Sequence, residues 1–157
     1  MTHAAHQMKP SSSVNALALA ATRHCLTGCA IGEIVATLLA AALALSTAVS
    51  LALGIVLAFV FGYSLTLLPL LRASTPLRRA LGITFAADTV SVVVMEVVDN
   101  VFVLLVPGAM SAGVTDALFW GSLVIGLGIA FAVAYPVNRW LIARGRGHAV
   151  MHGGEHR

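Results

Sequence analysis

Residues 86–106 read AADTVSVVVMEVVDNVFVLLV. The stretch is apolar enough to cross a bilayer, which takes about 20 residues. Yet it carries Asp88, Glu96 and Asp99, residue types that hydrocarbon tolerates poorly. On a helix at about 100° per residue, Met95 and Asp99 fall about 20° to either side of Asp88, Ser91 about 60° one way, and Glu96, Thr89 and Asn100 about 80° to 120° the other way. Val90, Val93, Val94, Val97 and Val101 take the opposite half, and only Val92 intrudes on the polar sector. The acids share one face, and the β-branched residues are left for lipid or packing.

Magnitudes give that segregation weight. The fourteen Val, Ile, Leu and Phe residues from Ile83 to Val106 favour insertion by roughly 4 to 8 kcal/mol, whereas three acids at mid-depth oppose it by up to about 8 to 10 kcal/mol. Alone, the segment is near break-even. It needs protein partners for its polar face, and ionisable residues in such a position point to a cation or proton role. Packing glue between helices is the alternative, and it suits Ser91 and Asn100 best.

The rest of the 157-residue chain supports a membrane reading. It is 59% hydrophobic and 10% charged, far from the composition of a soluble domain. Four apolar runs are expected to span: Cys25 to Thr47, Leu51 to Leu71, Leu81 to Val106 and Leu118 to Leu141. Lys9 and Arg23 precede the first; Arg72, Arg78 and Arg79 lie between the second and third; Arg139, Arg144, Arg146 and Arg157 end or follow the fourth. Neither STAVS nor GAMSAGVTDA contains a basic residue, so the positive-inside rule puts both termini in the cytoplasm. The expected fold is an all-α, integral membrane four-helix bundle. Residues 1–23 form a flexible lead with no cleaved signal, 24–143 the transmembrane domain, and 144–157 a His-bearing cytoplasmic tail. The net charge of +3 reflects topology and contact with anionic lipid headgroups, not nucleic-acid binding.

The first span offers a matching face. In HCLTGCAIGE, Cys25, Cys29 and Glu33 recur by four, with Gly28, Gly32 and Ala36 in the adjacent row. Small residues at this spacing let helices approach closely. Counted from polar boundaries at His24 and Arg79, Glu33 and Asp88 both lie about 13 Å deep, which predicts that they are neighbours. The expected ladder of ligands has His24, Cys25 and Cys29 at the cytoplasmic mouth, Glu33 with Asp88 in the inner half, and Met95, Glu96 and Asp99 farther out. Sulfur favours copper(I), imidazole suits zinc, copper or nickel, and carboxylates suit harder ions or protons. The competing reading of Cys25 and Cys29 is as small buried hydrophobes. A disulfide is not expected at a cytoplasmic helix end.

Elsewhere the signals are structural. Gly54, Ala58 and Gly62 recur by four as a packing groove, and Tyr63, Ser64 and Thr66 read as interfacial or helix-bonding. Pro136 breaks the backbone ladder of the fourth span. Arg139 either snorkels to the cytoplasm or neutralises Glu33 or Asp88. His148, His152 and His156 form either a metal-catching tail or a solvated end. No phosphate loop, HExxH helix or Ser nucleophile elbow is present, so no enzyme is expected.

Taken together, HCLTGCAIGE, AADTVSVVVMEVVDN and PVNRWLIARGRGHAV resemble a bacterial membrane family catalogued as domain of unknown function 4396, over roughly Arg23 to His152. The resemblance implies four helices, a bacterial inner membrane and an association with copper-handling proteins. The positions it carries over are His24, Cys29, Glu33, Asp88, Met95, Glu96, Asp99 and Asn100. The expected function is binding and transfer of a transition metal, copper first and zinc or nickel second, between the first and third helices. A proton or other cation pathway on the same carboxylates and a non-transporting assembly subunit are the alternatives. Four helices are few for a complete pathway, so a homo-oligomer or a partner membrane subunit is expected.

Overall fold

The computed structural model describes residues 13–144 and is all-helical, with no strand among them. Four long helices occur: α1 (Val14–Ala42), α2 (Thr47–Arg72), α3 (Leu77–Leu105) and α4 (Ala117–Ala143), with a 3-10 turn at Ala109–Ser111 before α4. Of these, α1, α2 and α4 are each long and apolar enough to cross a membrane. α3 meets that description only as two segments, Leu77–Ala86 and Asp88–Leu105, joined at a 41° bend. Thr89 Oγ1 donates to the Phe85 carbonyl at 2.5 Å across this bend. A threonine bonded back to residue i−4 is a known cause of helix bending.

α1 begins well inside the segment read as a lead. Ser13 caps it, its Oγ accepting from the Ala16 N–H at 3.2 Å. The helix then runs through Arg23 and His24 without a break. The sequence VNALALAAT is rich in Ala and Leu, the strongest helix formers, and nothing in it stops propagation. Residues 14–23, expected to be part of the flexible lead, are therefore helical, and His24 lies in the body of a helix.

The close pairing of α1 with α2 follows from glycine. A Cβ on Gly28 would come within 2.6 Å of the Gly62 backbone, and one on Gly32 within 2.5 Å of the Ala58 nitrogen. A Cβ on Gly54 would touch the Ala36 methyl at 3.7 Å. The two small-residue rows thus mesh in antiparallel register, Gly28 with Gly62, Gly32 with Ala58 and Ala36 with Gly54. Only residues lacking bulk allow backbones this close. Both tight connections, after α1 and after α2, put a non-glycine residue in the left-handed region, Ala44 (φ 50°) and Ser74 (φ 61°). Each is closed by a bond back to the helix end, Leu45 N–H to Ala40 O and Thr75 N–H to Leu70 O.

α1 also touches α3 and α4, and α3 packs against α2 and α4. The two helices that carry acids therefore meet near the centre. The apolar core between them joins Cys25, Cys29, Val92 and Met95 to Ala58 of α2 and to Phe119, Leu123, Leu127, Ala130 and Ala134 of α4. On α3, Val90, Val93, Val97, Val101 and Leu104 are all exposed, as the helical angles require of a lipid face. Val92, the valine that falls in the polar sector, is fully buried where Gly62 makes room for it.

Candidate functional site

The α3 acids all point inward: Asp88 is 0% exposed, Asp99 3% and Glu96 5%. Asp88 meets the first cysteine, with Cys25 Sγ 3.9 Å from Asp88 Oδ1. Thr66 of α2 lies beside the same carboxylate, and Ser91 lies beside the Cys25 thiol. Asn138 of α4 completes this level, its Nδ2 donating to Thr22 Oγ1 and to Ser91 Oγ, each at 2.9 Å. Thr22 Oγ1 in turn donates to the Ala18 carbonyl at 2.7 Å. One amide thereby ties α1, α3 and α4 together through buried hydroxyls, which satisfies groups that would otherwise be costly to desolvate.

One turn farther along α1 and two along α3, Cys29 faces Glu96. Glu96 is also held from its own helix, since Asn100 Nδ2 donates to its carbonyl at 2.8 Å and to Oε2 at 3.3 Å. Glu33 comes next, near both Glu96 and Asp99. The outermost acids sit over glycines of the flanking helices. A Cβ on Gly54 of α2 would lie 3.4 Å from Glu33 Oε1, and one on Gly126 of α4 would collide with Asp99 Oδ1. That Asp99 oxygen is buried and has no hydrogen-bond partner among the described residues.

The register is thus Cys25 with Asp88, Cys29 with Glu96, and Glu33 with Asp99. Glu33 does not sit opposite Asp88 as the depth count predicts; it lies eight residues, or about 12 Å, farther along α1 than the residue that does. The depth count took His24 and Arg79 as equivalent boundaries, but α1 starts far before His24 and α3 only just before Arg79. Measured from the helix starts, Cys25 and Asp88 are each eleven residues in.

Beyond Glu33 and Asp99 the interior opens. A cavity of about 350 Å³ lies between the end of α1, the start of α2, the end of α3 and the 3-10 turn. Glu33, Asp99 and Asn100 line it together with hydroxyls of Thr37, Ser50 and Ser122 and the thioether of Met110. We refer to it as the vestibule. It occupies the end of the molecule opposite Ser13 and Arg144, where neither connection carries a Lys or Arg.

Some expected ligands are not brought together. His24 turns toward Leu65 of α2, away from the cysteine row. Met95 is wholly buried in the apolar core. Among the described residues no three His, Cys, Asp or Glu side chains converge closely enough to hold one metal ion, so the single mouth cluster of His24, Cys25 and Cys29 does not form. Both cysteines are free thiols. Arg139 neutralises neither Glu33 nor Asp88; its Nε donates to Asn15 Oδ1 at 2.7 Å. His148, His152 and His156 lie outside the described residues. Sequence reasoning missed Thr22, Asn138 and Gly126; of the two readings it left open for Thr66, interfacial or helix-bonding, its 3% exposure and its place beside Asp88 exclude the interfacial one. A small-residue row could have flagged Gly126, since Ser122, Gly126, Ala130 and Ala134 recur by four and are all buried, with Asn138 at the next step; Thr22 had no such signal.

A family model described as Domain of unknown function (DUF4396) matches residues 15–147, and the chain belongs to that family. No curated protein and no solved structure matches the chain.

Proposed function

We propose that this family member is a non-enzymatic, four-helix integral membrane protein of a bacterial inner membrane, with both termini cytoplasmic, which binds a cation or proton on the buried face shared by α1 and α3 and passes it along that face. The observation that carries the reading is the graded row of acids, Asp88, Glu96, then Asp99 with Glu33, running from the centre to an open vestibule. Buried acids on a span are expensive unless they pair, bind a cation or carry a proton. Arg139, near the end of α4, donates its Nε to Asn15 Oδ1. α3 crosses as one bent span in this reading, and the position of every Lys and Arg sets the orientation. A homo-oligomer or a partner membrane subunit completes the path, since four helices enclose little.

A second reading, transfer of a soft transition metal such as copper(I), with zinc or nickel behind it, has its own support. Each cysteine faces a carboxylate, Cys25 with Asp88 and Cys29 with Glu96, which gives two mixed sulfur and oxygen donor pairs one turn apart. Sulfur is what a soft metal requires and what a proton or hard cation does not.

Reconstitution separates these. In liposomes loaded with a pH dye and a metal-quenched dye, the wild-type chain is expected to carry ions well above protein-free vesicles. Asp88→Asn with Glu96→Gln is expected to lower that flux at least tenfold, while Cys25→Ser with Cys29→Ser leaves it intact. Loss in the cysteine variant would transfer the case to the soft metal. Flux equal to protein-free vesicles for the wild type would contradict both and favour an assembly subunit.

A further inference from the structure

The vestibule is more than the open end of a row of acids. Two carboxylates, Glu33 and Asp99, reach it from facing helices. Each occupies space that a glycine of a third helix leaves free, Gly54 beneath Glu33 and Gly126 beneath Asp99. Asp99 is 97% removed from solvent by its 3% exposure, and its Oδ1 has no partner among the described residues. A buried carboxylate with an unused acceptor is a demand for a positive or donating ligand. Asn100 adds to this, because its amide nitrogen is committed to Glu96 and its oxygen remains an acceptor on a residue that lines the same cavity.

We propose that Glu33 and Asp99, with the Asn100 amide oxygen, form a site for a hydrated divalent cation of the hard class, loaded from the vestibule. The proposal deepens the cation reading above and rests on it. Charge argues for a divalent ion, since two carboxylates at the base of a low-dielectric cavity are neutralised by one such ion. The donor set argues for a hard one. The lining offers carboxylate, amide and hydroxyl oxygens, with neither thiol nor imidazole and only the Met110 thioether at its turn-side wall. Hard cations select oxygen donors. Size argues for a hydrated one, because the cavity volume of about 350 Å³ admits some ten waters at about 30 Å³ each. An ion that keeps part of its shell needs only two or three protein oxygens. The thiols of Cys25 and Cys29 lie deeper, outside this site.

The test uses Mn²⁺ as probe on the full chain in nanodiscs, with free Mn²⁺ followed by electron paramagnetic resonance. Saturable binding near one ion per chain is expected, displaced by excess Mg²⁺ or Ca²⁺. It should weaken at least tenfold in Asp99→Asn and in Glu33→Gln, and stay within twofold of wild type in Cys25→Ser with Cys29→Ser. Gly126→Ala supplies an independent arm, since its methyl displaces the Asp99 carboxylate while every carboxylate is retained; it too should weaken binding. A Mn²⁺-dependent rise in the melting temperature of the wild-type chain, absent in Asp99→Asn, reads the same site in protein that is demonstrably folded. No saturable binding to the wild type, or equal binding by the Asp99 and Glu33 variants, overturns the proposal. Ion flux that persists in liposomes without Mn²⁺ binding overturns the vestibule site alone, whereas loss of flux as well removes the cation reading beneath it.

Discussion

Asn138 has the most to lose by substitution among the buried polar residues, because it is the donor for two hydroxyls on two other helices. Replacing it by Ala leaves Thr22 and Ser91 buried without that donor. Interhelical hydrogen bonds inside membranes contribute about 0.6 kcal/mol on average and up to about 1.7 kcal/mol. Asn138→Ala is therefore expected to lower stability by about 1 to 2 kcal/mol, and its double-mutant cycle with Ser91→Ala to show a coupling of about 0.6 kcal/mol or more. Strict additivity in unfolding measurements would remove the bond from the account. At this scale the sequence was legible where residues repeat. The acids of α3 and the Cys25, Cys29, Glu33 row declare their faces through the helical period. Thr22 is a single polar residue with no period to read, and Asn138 ends a row of small residues, Ser122, Gly126, Ala130 and Ala134, whose period speaks of packing and not of a hydrogen-bond donor.

Elements meet here through what they lack. Gly28 and Gly32 let α1 lie against the backbone of α2, whereas Gly121 and Gly128 of α4 have nothing within 4 Å of a Cβ position. Gly28→Ala or Gly32→Ala must push two backbones apart, and overpacking of this kind costs about 1 to 3 kcal/mol. Gly128→Ala should fall within about 0.5 kcal/mol of wild type. Comparable losses at Gly28 and Gly128 in thermal unfolding would contradict the α1–α2 interface. The two glycine-rich rows were visible as rows in the sequence, and their meshing could be anticipated from spacing. Where α1 begins could not, because Arg23 and His24 look like a membrane boundary. In the fold Arg23 is merely an exposed residue on a helix that continues past it. That single misplacement shifted the depth scale of α1 against α3 and matched Glu33 with the wrong acid.

For the whole molecule, the arrangement makes one connected statement: α1 and α3 run in parallel, and their polar rows face each other from the Cys25 level to the vestibule. The Asn138 hydroxyl cluster closes the inner part of that face with hydrogen bonds, and the cavity leaves the outer part open. A row of acids that opens at one end into a cavity is the geometry a loading site needs. Everything proposed about cations depends on the register of those two helices, which disulfide trapping reads directly. In a Cys25→Ser background, Glu96→Cys should form a disulfide with native Cys29 under mild oxidation, seen as loss of both alkylatable thiols after denaturation. A chain lacking both native cysteines and carrying Glu33→Cys with Asp88→Cys should stay reduced, because the two positions are about two helical turns apart in depth. The opposite outcome, ready trapping of positions 33 and 88 with none between 29 and 96, would contradict the account.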